Sequence, residues 1–400
     1  MINLLLAIIY MAFISLGLPD AILGSVWPTM YLEFNVPISY AGIISFIIAL
    51  GTIISSLQSD RLTKKLGAGL VTSISVGLTA FALLGFSLSH SFIFLCIFAI
   101  PYGLGAGSVD AALNNYVALH FESRHMSWLH CMWGVGASMG PYIMGFALTN
   151  QSSWNAGYMY VFIIQAILTL FLFLSLPLWK KHSTLSNCNI TTTDEHSIDT
   201  TKPIPLKTLI TIPGAKQVLI MFFCYCAIEQ TAGLWASSYL VLHRGVSIDQ
   251  ATGWASLYFI GITIGRAICG FITMKLSNKQ MIRLGEFIIA MGLIIMILPF
   301  SNGFAIIGLI IIGLGCAPVY PCVIHSTPTN FGVENSQALT GVQMASAYVG
   351  TLIMPPLFGL IANYISISLY PFYLFGILIL MVIMYEAMIK KIHNFHCPKQ

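Results

Sequence analysis

Apolar runs near or above the roughly 20 residues needed to span bilayer hydrocarbon recur twelve times along this chain. They lie near residues 4–31, 39–58, 68–89, 92–118, 126–149, 156–178, 216–241, 250–274, 280–299, 303–326, 336–362 and 368–389. A backbone inside hydrocarbon must satisfy its own polar groups, and runs of this length do so as helices. The expected fold class is therefore an all-α integral membrane protein, with twelve transmembrane helices in two pseudo-symmetric six-helix bundles. Composition agrees, since 57% of the 400 residues are hydrophobic and 8% are charged, against about a quarter charged in ordinary globular chains. Thirteen acids and 17 bases cannot wet a soluble protein of this length. A cytosolic enzyme, a disordered chain and a nucleic-acid binder are excluded. The opening Met1-Ile2-Asn3-Leu4 has neither a basic n-region nor a small-residue cleavage site, so it reads as the start of the first span.

The one long polar stretch runs from Trp179 to Ala215 and holds Lys180, Lys181, Asp194, Glu195 and Asp199. It divides the chain into a bundle at 1–178, a cytoplasmic linker at 179–215, and a second bundle at 216–400 with a short cytoplasmic tail. With both termini in the cytoplasm, fifteen bases fall inside, Arg244 falls outside, and Arg266 lies within a span. That asymmetry sets the orientation. The expected location is the cell membrane, as a multi-pass protein of a bacterial inner membrane.

The halves also repeat. Gly103-Leu-Gly105-Ala-Gly107-Ser-Val-Asp110 aligns with Gly313-Leu-Gly315-Cys-Ala-Pro318-Val-Tyr320, and Gly140-Pro141 through Gly145 with Met354-Pro355 through Gly359. Leu50-Gly51 through Asp60-Arg61-Leu62 aligns with Ile264-Gly265 through Met274-Lys275-Leu276. Parallel six-helix repeats are the pattern of a secondary transporter with its substrate near the membrane midplane.

A charged residue deep in a span costs about 2.5–3.5 kcal/mol on the insertion scale, so it usually has a task or a partner. Asp20 lies halfway along the first span in Gly17-Leu18-Pro19-Asp20, where glycine and proline predict a bend. Asp110 follows the glycine-rich stretch of the fourth span, and Glu229 sits midway along the seventh. Burial favours the neutral form of a carboxyl group, which lets protonation be coupled to substrate binding. Asp110, Asp20 and Glu229 are accordingly the expected proton-coupling residues, and Glu229 doubles as an acceptor for substrate hydroxyls. Asn114, Asn115, Gln230, Trp235, Tyr320 and Gln343 complete the expected substrate-binding set, because aromatic faces stack on sugar C–H groups and amides bond hydroxyls in pairs. Arg266 and Glu286 fall at similar depth on the eighth and ninth spans, which predicts a structural ion pair.

Other features read as packing. Gly103, Gly105 and Gly107 lie in a membrane helix with no preceding strand, so they are close-contact residues rather than a nucleotide loop. Gly136-x-x-x-Gly140-Pro141 is a packing and kinking element. His130 and His325 read as hydrogen-bonded core histidines. Nine cysteines, scattered mostly in apolar runs, read as reduced thiols; Cys224-Tyr-Cys226 lacks a second ligand pair, so no metal and no cofactor are expected.

Across nearly its whole length the chain resembles the major facilitator superfamily. Ser56-Leu-Gln-Ser-Asp60-Arg61-Leu-Thr-Lys64-Lys65 is similar to that superfamily's signature between its second and third helices, with serine and threonine in place of two glycines. By this resemblance Asp60 and Arg61 are gating residues. The second copy keeps Gly270 and Lys275, with Met274 where an acid is expected. Within the superfamily the chain resembles the fucose permease group of fucose–galactose–glucose proton symporters, through Gly-Leu-Pro19-Asp20, Gly105-Ala-Gly-Ser-Val-Asp110-Ala-Ala-Leu-Asn114 and Gly265-Arg266. The resemblance implies no enzyme but proton-coupled symport of a monosaccharide or similar small polar solute by alternating access, through a monomer in the lipid bilayer. A proton-driven exporter of drugs or metabolites and a sodium-coupled sugar carrier are the alternatives.

Overall fold

A computed structural model describes residues 2–37, 40–151, 153–179, 204–246, 248–298 and 301–396. The regular elements among them are helical. In the first half they are α1 (Ile2–Gly17), α2 (Ile22–Glu33), α3 (Ala41–Leu66), α4 (Ala68–Ser87), α5 (Phe92–His120), α6 (Ser123–Gln151) and α7 (Trp154–Leu174). There follow α8 (Leu206–Thr211), α9 (Ala215–Leu242), α10 (Ile248–Ile272), α11 (Asn278–Ile297), α12 (Asn302–His325), α13 (Thr327–Phe331), α14 (Val333–Tyr364) and α15 (Tyr370–His396), with a 3-10 turn at Ile367–Leu369.

Among the described residues ten segments are long and apolar enough to cross a bilayer, the first being Leu4–Trp27, which runs through α1 and α2. The two remaining predicted spans coincide with helices α6 and α10. α6 falls outside the ten because histidines, tryptophans, serines and glycines fill it in place of aliphatic side chains. α10 contributes a shorter apolar stretch, Leu257–Ile272.

The helices cluster into two compact units: Met1–Tyr116 with Met132–Ile204, and Val117–Cys131 with Pro205–Gln400. The turn joining α5 to α6 thus belongs with the second unit. Trp128 Nε1 donates to the Ala267 carbonyl at 3.4 Å, and its ring meets Phe271 edge-on. His325 bridges the Phe121 carbonyl and the Asn278 amide, 2.9 Å from each. Of the predicted linker, residues 180–203 lie outside the described residues.

The sequence repeat reappears as repeated packing. A Cβ on Gly103 would collide with α3 at Ile48, and one on Gly105 with α4 at Ser75. The equivalent glycines do the same in the second unit: Gly313 lies against α10 at Tyr258, and Gly315 against α11 at Ile289. Small residues alternate along α5 and α12 so that each helix can approach two neighbours closely.

Local signals set the ends of α11. Ser277 and Gln280 form a reciprocal capping box at its start. At its other end the Arg244 guanidinium donates to the carbonyls of Met296 and Leu298. Arg244 therefore caps the C-terminus of α11. Seven cysteines, Cys96, Cys131, Cys224, Cys226, Cys269, Cys316 and Cys322, are free thiols. Cys188 and Cys397 lie outside the described residues.

Candidate functional site

The first span is broken at its acid, as the glycine and proline predict. Pro19 has no N–H to continue the ladder, and the amides of Asp20 and Ile22 turn back to the carbonyls of Gly17 and Pro19 at 3.1 and 3.2 Å. The exposed Asp20 carboxylate accepts one hydrogen bond on each oxygen. Tyr102 Oη donates to Oδ1 at 3.0 Å, and Trp133 Nε1 donates to Oδ2 at 2.8 Å. Both donors are neutral, and no cation among the described residues lies within ion-pair distance of Asp20.

Trp133 reaches Asp20 because α6 lies hard against the first span. A Cβ on Gly136 or Gly140 would collide with the carbonyls of Ile14 and Leu18, and one on Gly17 with that of Trp133. The glycine run of α6 is thus a packing element, and its product is the indole's position.

Asp110 lies eight residues beyond Tyr102 on α5, about 12 Å along the helix axis. It is buried, and its Oδ1 accepts from the Asn114 amide at 2.7 Å, the same amide that reaches the Asp110 carbonyl at 2.9 Å. Asn114 is fully enclosed and holds Asp110. Asn115 is buried beside it.

In the second unit the central acid is charge-balanced. Glu229 Oε1 accepts from Arg266 Nη2 at 2.9 Å, with the two side chains 13% and 4% exposed. Tyr258 Oη donates to the Glu229 backbone carbonyl at 2.9 Å, and Tyr225 Oη to that of Cys316 at 3.0 Å. The half-buried Tyr320 packs its ring 5.9 Å from Tyr225 and 4.5 Å from His130, and bonds the Met344 sulfur. Gln230, next to Glu229, is exposed.

The predicted pairing of Arg266 with Glu286 is corrected here. Arg266 turns toward α9 and Glu229, so similar depth on adjacent helices did not decide its partner. Glu286 makes no ion pair among the described residues, and its Oε1 is buried without a hydrogen bond. The same contact bears on Glu229, whose negative charge is already compensated by a guanidinium.

Two further predicted residues are engaged by other partners. Trp235 spends its indole N–H on the Pro355 carbonyl at 2.9 Å and packs on Phe358. Gln343 is fully buried, with Oε1 accepting from Thr327 at 3.0 Å. Toward the end of α3 the buried Asp60 is held by Lys64 at 3.2 Å and by the backbone N–H of Ile204 at 3.2 Å, while Arg61 is exposed. Tyr102, Trp133 and Tyr258 escaped the sequence reading. Each contact joins residues distant in sequence, and nothing local marks an indole as a carboxylate donor. Among the described residues no group of three or more His, Cys, Asp or Glu could hold a metal.

The profile of the Major Facilitator Superfamily matches residues 9–247 and 218–391. The glucose/mannose transporter GlcP of Bacillus subtilis is 22% identical over 374 residues, covering 90% of this chain and 88% of that protein. Yeast Bypass of stop codon protein 6 is 22% identical over 282 residues; this chain covers 56% of its length and 67% of its own. The hexuronate transporter of B. subtilis is 25% identical over 255 residues, covering 58% of this chain and 54% of that protein. Among solved structures, the E. coli fucose:proton symporter FucP aligns with TM-score 0.73 at 16% identity, over 95% of this chain and 98% of that one. The proton:xylose symporter XylE aligns with TM-score 0.77 at 13% identity, over 97% and 95%.

Proposed function

Because the chain belongs to the Major Facilitator Superfamily, we propose that this multi-pass transporter is a proton-coupled symporter of a monosaccharide or similar small polar solute. It works by alternating access, as a monomer with twelve spans, both termini in the cytoplasm of a bacterial cell. The observation that carries the reading is Asp20, an exposed carboxylate at mid-span in a broken helix, held by two neutral donors. An acid so placed keeps an accessible face for a proton or a hydroxyl-bearing ligand. Asp110 carries the coupled proton, Asp20 positions substrate, and Gln230, Tyr320 and Asn115 offer further polar and aromatic contacts. Asp60 and Arg61 gate the cytoplasmic side. Glu229, balanced by Arg266, contributes a fixed neutral pair in place of the proton site expected from sequence. That pairing also favours a neutral solute over an organic acid, since Arg266 has already spent its charge inside the protein.

The test is uptake of a labelled sugar panel into proteoliposomes, with and without an imposed proton gradient. Asp110→Asn fixes the neutral state, so it should retain sugar exchange and lose accumulation against a gradient. Proton-driven accumulation at wild-type levels by Asp110→Asn would exclude the residue as the coupling site. Uptake driven by sodium alone would replace the proton in this scheme.

A further inference from the structure

On the surface of the second unit a groove of about 410 Å³ runs between α11 and α15. Its walls include Phe287, Ile379 and Ile383, which are 61%, 48% and 52% exposed. On a membrane-spanning surface such side chains face acyl chains, so lipid has direct access to the groove. At one end Arg283 clasps Glu386, with Nε and Nη2 donating to its two oxygens at 2.7 and 2.8 Å. Lys279 lies one turn before Arg283 and Lys390 one turn after Glu386, and both charges act on that carboxylate. The Arg283–Glu386 pair is neutral, which leaves the two lysines as surplus positive charge at the groove's mouth.

We propose that this groove binds an anionic phospholipid. One acyl chain lies along Phe287, Ile379 and Ile383, and the phosphate bridges Lys279 and Lys390. A basic cluster at the end of an apolar groove between membrane helices has the two features such a lipid requires. One acid, Glu286, also lines the groove. It lies one turn deeper than Arg283 on the groove floor, 5% exposed, with one oxygen lacking a hydrogen bond. The phosphate is held at the level of the lysines, and only the hydrocarbon passes below, along the apolar walls.

The experiment is native mass spectrometry of the full chain in detergent, titrated in parallel with phosphatidylglycerol, phosphatidylethanolamine and phosphatidylcholine of matched chains. Phosphatidylglycerol should be retained at the lowest concentration. Lys279→Gln/Lys390→Gln should weaken it about thirtyfold, each lysine near the surface being worth about fivefold. Ala290→Phe, which fills the groove without altering charge, should displace the lipid too, whereas glycerol phosphate without chains should not compete. Glu286→Gln should leave phosphatidylglycerol binding unchanged. Equal retention of the three lipids would overturn the proposal, as would binding indifferent to both the lysine pair and Ala290→Phe. Preference for phosphatidylethanolamine lost in Glu286→Gln would overturn it as well, since the carboxylate would then be the ligand. Each variant's elution on size exclusion in the same detergent confirms that folded protein is compared.

Discussion

Asp20 and Glu229 each lie deep in the first membrane segment of their half, yet the protein houses them in opposite ways. Asp20 stands in a helix break, exposed, with a phenol and an indole as its partners. Glu229 stands in an unbroken helix, largely buried, with a guanidinium on one oxygen. The break explains the difference. Where Pro19 interrupts the ladder, the carboxylate of Asp20 stays exposed, and two neutral donors orient it. The continuous α9 keeps its acid against neighbouring helices, where an uncompensated charge is expensive and a cation is needed. One acid stays exposed, and the other is charge-balanced among the helices.

The comparison breaks most visibly at Arg266. Arg266→Ala leaves Glu229 buried without its cation, which should cost about 3–5 kcal/mol and reduce the yield of folded protein. Adding Glu229→Gln should restore much of the loss, because both charges are then gone. Thermal unfolding in detergent reads both variants. Strict additivity of the two single changes would show that the pair is not coupled and that Glu229 resembles Asp20 after all.

A smaller effect is expected where α6 meets the broken span. Gly17→Val places its side chain into the Trp133 carbonyl, forcing the helices apart at about 1–3 kcal/mol. Transport should fall with stability, since the indole is drawn away from Asp20. Gly24→Ala is the control on the same segment, with nothing within 4 Å of the added carbon. Equal thermal shifts for the two variants would remove close packing as the reason for these glycines.

The spans, the repeat and the bend at Asp20 were legible because each is local or periodic. An apolar run of about 20 residues, a glycine alternation and a Gly-x-Pro sequence carry their structural meaning within a few residues. The partners were not. Arg266 faces acids on two helices at comparable depth, and the direction of its side chain follows from how α10 is rotated against α9, which no local pattern encodes. For the same reason Trp133, 113 residues from Asp20, gave no sign that its indole would serve that carboxylate. Gln343 and Trp235 have the polar or aromatic chemistry of a substrate contact, but burial and the Pro355 carbonyl have prior claims on them.

Trp133→Phe sharpens the picture of the exposed acid. It keeps an aromatic ring and removes the N–H held 2.8 Å from Oδ2. A hydrogen bond to a charged group contributes about 1.5–3 kcal/mol, so at the lower end substrate KM should rise about tenfold while folding changes little. In an Asp20→Asn background the same change should have no comparable effect. An unchanged KM in the wild-type background would mean that the indole does not orient the carboxylate.

One phenol hydroxyl can be deleted in each region, and the smallest effect is expected at Tyr258. Tyr102→Phe removes the 3.0 Å donor to Asp20 Oδ1, and Tyr258→Phe removes the 2.9 Å donor to the backbone carbonyl of Glu229. Chemically the two substitutions are identical, but Tyr102 bonds a carboxylate, worth about 1.5–3 kcal/mol, and Tyr258 a neutral carbonyl, worth about 0.5–1.5 kcal/mol. They differ in what the lost donor was holding. Tyr102 orients an exposed side-chain carboxylate, so its loss should appear in transport as a KM raised about tenfold at the lower end of its range. Tyr258 is fully buried and bonds a carbonyl within a continuous helix, so its loss should lower the thermal midpoint slightly and leave KM unchanged. Measuring both quantities for both variants separates the regions: a KM effect for Tyr258→Phe equal to that of Tyr102→Phe would place Glu229 in the transport chemistry alongside Asp20.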